Sequence, residues 1–131
     1  MEMPISQSPP ALPNPYIEHL GVTREETRTD YARLSKTVEA EDTDTSGLAH
    51  NGLYFSLADE VCGSILDARE VPSVTINASC HFLQGARPGD RITAEAREVQ
   101  CGKTVCVYEA RITDQAGTLL GTGIFTMYIL A

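Results

Sequence analysis

Asp59 is the residue of this sequence whose position is hardest to explain by folding alone. It interrupts an apolar stretch, LADEVC, that otherwise has the pattern of a buried helix. Aspartate is unfavourable in a helix interior because its side chain competes for backbone hydrogen bonds. A carboxylate kept in such a place can act as a general base or as a nucleophile. The alternative, an exposed edge shared with Glu60, stays open on spacing alone.

A second group with chemical potential lies at the start of the same predicted helix. His50, Asn51 and Gly52 lead its first turn, where backbone N–H groups have no intrahelical acceptor. Such a terminus stabilises negative charge, including the oxygen of a carbonyl under attack. The alternative is that His50 and Asn51 only cap the helix.

One long helix, from about residue 51 to residue 69, is predicted to carry both groups. Apolar residues recur at intervals of four and predict a buried central helix; they are Leu53, Leu57, Val61 and Ile65, with Tyr54 and Ala58 beside them. The helical face of Asp59 is rich in small residues, so another group can approach the backbone there; its members are Gly52, Phe55, Ser56, Cys62, Gly63 and Leu66.

The rest of the chain is predicted to be mainly β-strand. The proline-rich residues 1–13 predict a flexible N-terminal arm, and residues 14–20 predict a short helix. A hairpin is predicted over residues 22–40. Four alternating segments joined by short turns predict an antiparallel meander; they span residues 74–82, 92–101, 105–113 and 119–130. A single α+β domain over residues 14–131, with an antiparallel sheet around one long helix, satisfies this order.

Composition restricts the partners of the protein. The net charge of −8 over 131 residues argues against a nucleic-acid partner, because phosphate binding needs clustered Lys and Arg. No apolar run reaches the length of a membrane-spanning helix, so no membrane partner is expected. The four cysteines lack metal-ligand spacing and indicate structural, reduced thiols in a cytoplasmic protein. We expect no metal and no cofactor.

The segment HNGLYFSLAD, residues 50–59, resembles the HGGxxFxLAD signature of the PaaI-like hot-dog thioesterases of phenylacetate pathways. The resemblance continues through ASCHFL at residues 78–83, Gly89-Asp90 and Gly102-Lys103-Thr104, and covers roughly residues 30 to 130. It implies the hot-dog fold, in which a sheet wraps around the long helix. It also implies hydrolysis of acyl-CoA thioesters, with CoA entering only as part of the substrate.

The resemblance assigns roles residue by residue. Asp59 matches the carboxylate that activates water or attacks the thioester. The Asn51 position provides the backbone N–H that polarises the carbonyl. The neighbouring Gly52 is expected to contact the substrate. His50 matches the histidine that shapes this loop, and Thr75 matches a hydroxyl that orients the water.

Two positions depart from the family pattern. Asn51 stands where the family has glycine, which adds a side chain to the oxyanion loop. Asp44 replaces a polar amide six residues before the histidine, and an ionised carboxylate cannot donate to a carbonyl. Thr45 or Ser46 is a candidate replacement donor.

Binding CoA to an acidic protein requires local cations. Arg87 and Lys103, each in a predicted turn, are the candidates, although solvated turn charges explain both equally well. Tyr54, Phe55 and Ile65 are candidates for an acyl pocket, and core packing is the alternative for each.

The helix length predicts an oligomer. Asn51 and Asp59 lie eight residues apart, hence about 12 Å apart at the helical rise, too far to serve one carbonyl carbon. If both act on it, the amide and the carboxylate come from different subunits. Two antiparallel helices across a two-fold axis would form two such sites, in a homodimer or a tetramer of paired dimers.

Two other functions remain open at this point. The domain could bind acyl-CoA without turnover, and the departures at Asn51 and Asp44 support this alternative. It could also hydrolyse acyl groups bound to carrier proteins, although carrier proteins are usually acidic and like charges repel.

Overall fold

Six antiparallel strands form one sheet that wraps around a long helix in the computed structural model, which describes residues 14–130. The predicted arm at residues 1–13 lies outside the described residues. The elements in chain order are α1 (Pro15–Leu20), β1 (Thr23–Thr27), β2 (Tyr31–Thr37), a 3-10 turn (Ala40–Asp42), α2 (Asn51–Ala68), β3 (Ser73–Phe82), β4 (Arg91–Cys101), β5 (Val105–Thr113) and β6 (Leu119–Ile129). This is the predicted α+β hot-dog architecture.

Helix α2 fills the concave side of the sheet. Its predicted apolar stripe is buried, and Leu57, Val61 and Ile65 are each 0% exposed. The strands beneath it present alanines, so the helix backbone can lie close to the sheet; Ala94, Ala96 and Ala110 are also 0% exposed. Close packing of large helical residues over small strand residues fixes the helix in place.

The order of the strands corrects one prediction. The sheet runs β1-β2-β4-β5-β6-β3, so β4, β5 and β6 form a meander, but β3 does not pair with β4. Strand β3 instead pairs with β6 at the opposite edge. Both sides of β4 are already occupied, by β2 and β5, and the segment between β3 and β4 therefore crosses the sheet.

Helix α1 lies against α2 and ends as predicted. The Asn14 side chain accepts from Ile17 N–H, Pro15 begins the helix, and Gly21 ends it at φ +73°, a backbone angle that favours glycine. Asn14 also donates to Glu60 at 3.0 Å, and Tyr16 shares a hydrogen bond of 2.8 Å with Ser56. One side of α2 is thereby covered.

Strand β3 forms an open edge of the sheet. It is ten residues long, and its exposed side chains include Val74 (46%), Ile76 (55%) and Phe82 (43%). A long, apolar, uncovered edge exposes unpaired backbone groups and is a template for pairing with another strand.

Cys101 and Cys106 correct the expectation of four reduced thiols. They face each other across the β4–β5 hairpin, with Cα atoms 3.9 Å apart, and form a disulfide. Cys62 and Cys80 are free. No helix within residues 14–130 is both long and apolar enough to cross a bilayer.

Candidate active site

Asp59 and Thr75 meet where helix α2 lies under the open edge strand. The Thr75 hydroxyl donates to Asp59 Oδ1 at 2.7 Å, and Thr75 Oγ1 also lies 3.1 Å from Met127 Sδ. Within residues 14–130 no protein donor bonds to Asp59 Oδ2. The carboxylate is therefore oriented through one oxygen and left with the other available.

An irregularity in β3 directs Thr75 toward the helix. The register between β3 and β6 shifts between Thr75 and Asn77, which leaves Ile76 as the extra residue. Bulges of this kind re-aim side chains and are common beside active sites. Thr75 consequently pairs with the buried Met127 on the concave side, facing Asp59.

Gly63 leaves space one helical turn beyond Asp59. A Cβ placed on Gly63 would meet no heavy atom within 4 Å, so an external group can approach the helix here. The face predicted for Asp59 is otherwise divided, because Cys62 (0%) and Leu66 (1%) are buried in the core rather than presented to a ligand.

The neighbouring thiols do not compete with Asp59 as nucleophiles. Burial raises the pKa of the Cys62 thiol well above its usual range, and the negative charge of Asp59 adds to the effect. Burial followed by the Asp59 charge also raises the pKa of Cys80. Both residues are therefore protonated near neutral pH, and thiols attack far less readily than thiolates.

The start of α2 leaves one backbone donor unused. His50 Nδ1 accepts from Gly52 N–H at 2.7 Å, and the His50 carbonyl accepts from Leu53 N–H at 2.9 Å. No acceptor for the Asn51 N–H occurs in the described part of the chain. The Asn51 N–H therefore has no protein acceptor among the described residues, as is usual for the first N–H groups of a helix.

The His50 cap also explains the glycine after Asn51. A Cβ on Gly52 would lie 2.9 Å from His50 Nδ1, so a side chain would displace the ring. Because Nδ1 accepts a hydrogen bond, the proton of the neutral imidazole resides on Nε2. His50 is exposed and can present that proton outward.

Asp44 stabilises the loop before the helix and offers no donor to a substrate. Its carboxylate accepts from Ser46 N–H (2.8 Å), Ser46 Oγ (2.6 Å) and Leu48 N–H (3.3 Å). These bonds, the one from the Ser46 hydroxyl first, lower the pKa of Asp44. The Ser46 hydroxyl donates its proton to Asp44. Ser46 is therefore not the donor that was expected to replace the missing amide at position 44.

An apolar crevice lies beside Ala58, between α2 and strands β3, β5 and β6. Its volume is only about 10 Å³, the size of a single water site. Tyr54 and Phe55 line it, but Tyr54 is only 2% exposed and belongs to the hydrophobic core, as does Ile65. Phe55 is 41% exposed and packs against Phe125, with ring centroids 5.6 Å apart.

The two predicted cations are not brought together within one chain. Arg87 follows Ala86, whose carbonyl accepts from Ala49 beside the start of α2. Lys103 lies in the β4–β5 turn, at the end of the sheet where Arg69, the C-cap of α2, contacts Cys101. Both cations are exposed, and a ligand that touched both would have to span two subunits or the length of the helix.

The architecture and this site define a hot-dog domain of the thioesterase type. Residues 46–120 match the model of the thioesterase superfamily, and the chain belongs to that family. It is 35% identical over 114 residues to a putative esterase of Deinococcus radiodurans, covering 82% of this chain and 76% of that protein. It is 28% identical over 95 residues to human acyl-coenzyme A thioesterase 13, covering 70% and 68%.

Solved structures are similar over most of the chain. PaaI of Escherichia coli, from the phenylacetic acid degradation operon, superposes with a TM-score of 0.87 at 23% identity, covering 90% of this chain and 86% of that one. This likeness confirms the predicted PaaI-like hot-dog fold. A hypothetical thioesterase of Streptococcus pneumoniae, solved with coenzyme A, has a TM-score of 0.81 at 26% identity, covering 84% and 86%.

Two further structures of the pneumococcal protein carry single substitutions to alanine. One replaces a threonine and the other an aspartate, and the two positions lie 16 residues apart. Thr75 and Asp59 are separated by the same 16 positions.

Proposed function

We propose that this protein hydrolyses acyl-CoA thioesters, with Asp59 as the catalytic carboxylate. The observation that carries the proposal is the Asp59–Thr75 hydrogen bond at the open edge of the sheet, with no donor from residues 14–130 on Asp59 Oδ2. The equal spacing of the substituted aspartate and threonine in the pneumococcal thioesterase supports the same pair. The names of the relatives support a thioester substrate.

The reaction needs a donor for the carbonyl oxygen, and the unused Asn51 N–H is suited to this. The helical separation of about 12 Å keeps the Asn51 and Asp59 of one chain from sharing a carbonyl carbon. Pairing of two β3 edges about a two-fold axis brings α2 of each subunit beside its copy, running antiparallel. Each of two sites then takes Asn51 from one subunit and Asp59 from the other.

In the proposed reaction, Asp59 takes a proton from a water held beside Thr75. The water oxygen bonds to the thioester carbon, and the carbonyl oxygen becomes an oxyanion bound by Asn51 N–H. The carbon–sulfur bond then breaks, giving the free acid and the CoA thiolate, which takes up the proton. Removal of one oxyanion donor costs about 2.7–4 kcal/mol in other enzymes.

The small crevice favours an acyl pocket completed by the second subunit. About 10 Å³ does not hold an acyl chain, but Phe55 and Phe82 stand exposed at its rim, on the side of the β3 edge. Arg87 and Lys103 lie at opposite ends of α2, so two antiparallel subunits would bring Arg87 of one near Lys103 of the other. That arrangement would offer CoA phosphates two cations.

A panel of aryl- and alkanoyl-CoAs, with release of free CoA thiol as the readout, tests the proposal. We expect turnover of at least one acyl-CoA, with loss of turnover in Asp59→Asn. Tight acyl-CoA binding without thiol release would instead identify a binding module. Turnover restricted to acyl groups on a carrier protein would identify the other alternative and reject CoA thioesters as the substrate.

A further inference from the structure

Lys36 and Asp42 form a buried ion pair between the sheet and the loop that precedes α2. Lys36 Nζ lies 3.1 Å from Asp42 Oδ2, and the two side chains are only 6% and 8% exposed. Lys36 belongs to β2 and points to the concave side of the sheet, opposite its exposed neighbour Thr37. Buried charges are costly unless paired and hydrogen-bonded, so this pair calls for an explanation beyond solubility.

Asp42 connects the pair to the helix start. Its carboxylate also accepts from Glu39 N–H at 2.9 Å, and its backbone carbonyl accepts from His50 N–H at 2.8 Å. Thr43 and Ala49 form an isolated bridge just beyond. The segment from residue 42 to residue 50 is therefore a closed turn, and Lys36 fixes its base to β2.

His50 is the end of this chain of contacts nearest the chemistry. Its N–H is bound by Asp42 and its ring caps Gly52, so Asp42 determines where the next N–H, that of Asn51, points. A misplacement of about 1 Å in a catalytic group can lower a rate by roughly 10²-fold.

We infer that the Lys36–Asp42 pair is a positioning device for the Asn51 N–H. The inference rests on the proposed function, in which that amide holds the carbonyl oxygen. Neither residue touches the substrate; each acts through the Asp42 carbonyl and His50. Loss of the pair lowers kcat, because the oxyanion forms only in the transition state, and changes KM little.

The variant Lys36→Met with Asp42→Asn tests the inference without leaving an unpaired buried charge. Met matches the length of the lysine stem, and the Asn oxygen still accepts from Glu39 N–H. Neutral replacement of a buried pair is often tolerated, so the variant should fold. We expect kcat to fall about tenfold or more, with KM within about threefold.

The ion pair of Arg24 and Glu60 provides the matched control. It also joins a β-strand to the α2 region, at 2.5 Å, but neither residue bonds to the 42–50 turn. The variant Arg24→Met with Glu60→Gln should keep its kcat. An unchanged kcat in the Lys36–Asp42 variant, or an equal fall in both variants, overturns the inference.

Amide hydrogen exchange gives a readout independent of activity. In the Lys36–Asp42 variant the His50 N–H should exchange roughly tenfold faster while core amides such as Val61 do not change. Unchanged His50 exchange overturns the inference even if kcat falls. If the wild-type protein hydrolyses no acyl-CoA, the proposed function fails, and this exchange experiment still decides whether the pair orders the helix start.

Discussion

The two sides of helix α2 carry adjacent carboxylates in different surroundings. Glu60 faces α1 and β1, where Arg24 (2.5 Å) and Asn14 (3.0 Å) bind its two oxygens. Asp59 faces the open edge strand, where Thr75 binds one oxygen. Among residues 14–130, both oxygens of Glu60 therefore have a protein partner, whereas only one oxygen of Asp59 has one.

This difference distinguishes the side of the helix whose contacts are made within one chain from the side that is open to another molecule. The Glu60 side has the features of a structural contact: a paired charge and a capping helix packed over it. In the described part of the chain, the Asp59 side has a carboxylate oxygen without a protein donor, a glycine with open space beside it, and exposed apolar residues on β3. A ligand and a second subunit both suit the Asp59 side.

Of the substitutions on the two sides of the helix, Asp59→Asn should have the largest effect on kcat. It removes the base but retains an oxygen that accepts from Thr75, so the fold should be kept. General-base catalysis contributes about 10²–10⁴-fold, and we expect kcat for the best acyl-CoA to fall at least about a hundredfold. Wild-type turnover in this variant would exclude the assigned role.

Ile76→Lys should prevent the β3 edge from pairing with another strand, and so tests whether activity on the Asp59 side needs a second subunit. Ile76 is 55% exposed in the single chain, so the substitution should not disturb the core. Lysine on an edge strand opposes pairing with another strand. We expect monomers in analytical ultracentrifugation and a loss of activity of roughly tenfold or more, reversed in part at high protein concentration. An active monomer would refute the two-subunit site.

Thr75→Val would sharpen the assignment on the Asp59 side. It preserves the shape of the side chain and removes the hydroxyl that orients the carboxylate. Hydrogen bonds to charged groups contribute about 1.5–3 kcal/mol, so we expect kcat to fall roughly tenfold or more. Thr75→Ser, which keeps the hydroxyl, should retain most of the activity. Equal kinetics in the two variants would contradict a role for the hydroxyl.

Glu60→Gln should have the smallest effect on activity, because Glu60 makes structural contacts on the side of α2 that α1 and β1 cover. Arg24 is 45% exposed, so solvent weakens the pair, and we expect a loss of about 1 kcal/mol or less in the free energy of unfolding. Urea denaturation measures this loss, and kcat should match the wild type. A fall in kcat as large as that of Asp59→Asn would show that the two sides are not distinct.

Local patterns allowed most of the fold to be predicted. The α2 stripe, the caps of α1 and the β1–β2 hairpin depend on near neighbours in sequence, and their positions agree with the structure to within a few residues. The place of β3 was predicted wrongly because strand pairing is non-local, and alternation does not reveal which strand lies beside which. The Cys101–Cys106 contact follows from the predicted hairpin turn, but the sequence favoured free thiols.

Less of the candidate site than of the fold could be predicted from the sequence. Asp59 and the helix start at residues 50–52 stood out from residue types and helix physics, whereas the roles of Asp59, the Asn51 N–H and Thr75 came from the family resemblance. Lys36 gave no signal, because a lysine in a strand is normally a solvated residue and its partner Asp42 lies in a loop without periodicity. The crevice volume depends on packing that no sequence pattern reports. The hydrogen bond from the Ser46 hydroxyl to Asp44 is instead a local contact, between residues two positions apart.

A subunit-complementation assay tests the composite site most directly. Asn51→Pro removes the N–H donor, and proline is well tolerated here, because Asn51 is the first helical residue and His50 already has the extended ψ of 140° that proline requires before it. In a heterodimer of this variant with Asp59→Asn, one of the two sites regains both groups.

Each variant alone should be nearly inactive. Mixing and reassociating equal amounts should restore about a quarter of wild-type activity, because half of the dimers are then heterodimers with one intact site each. Activity no greater than the sum of the two separate variants would contradict a site that takes its amide and its carboxylate from different subunits.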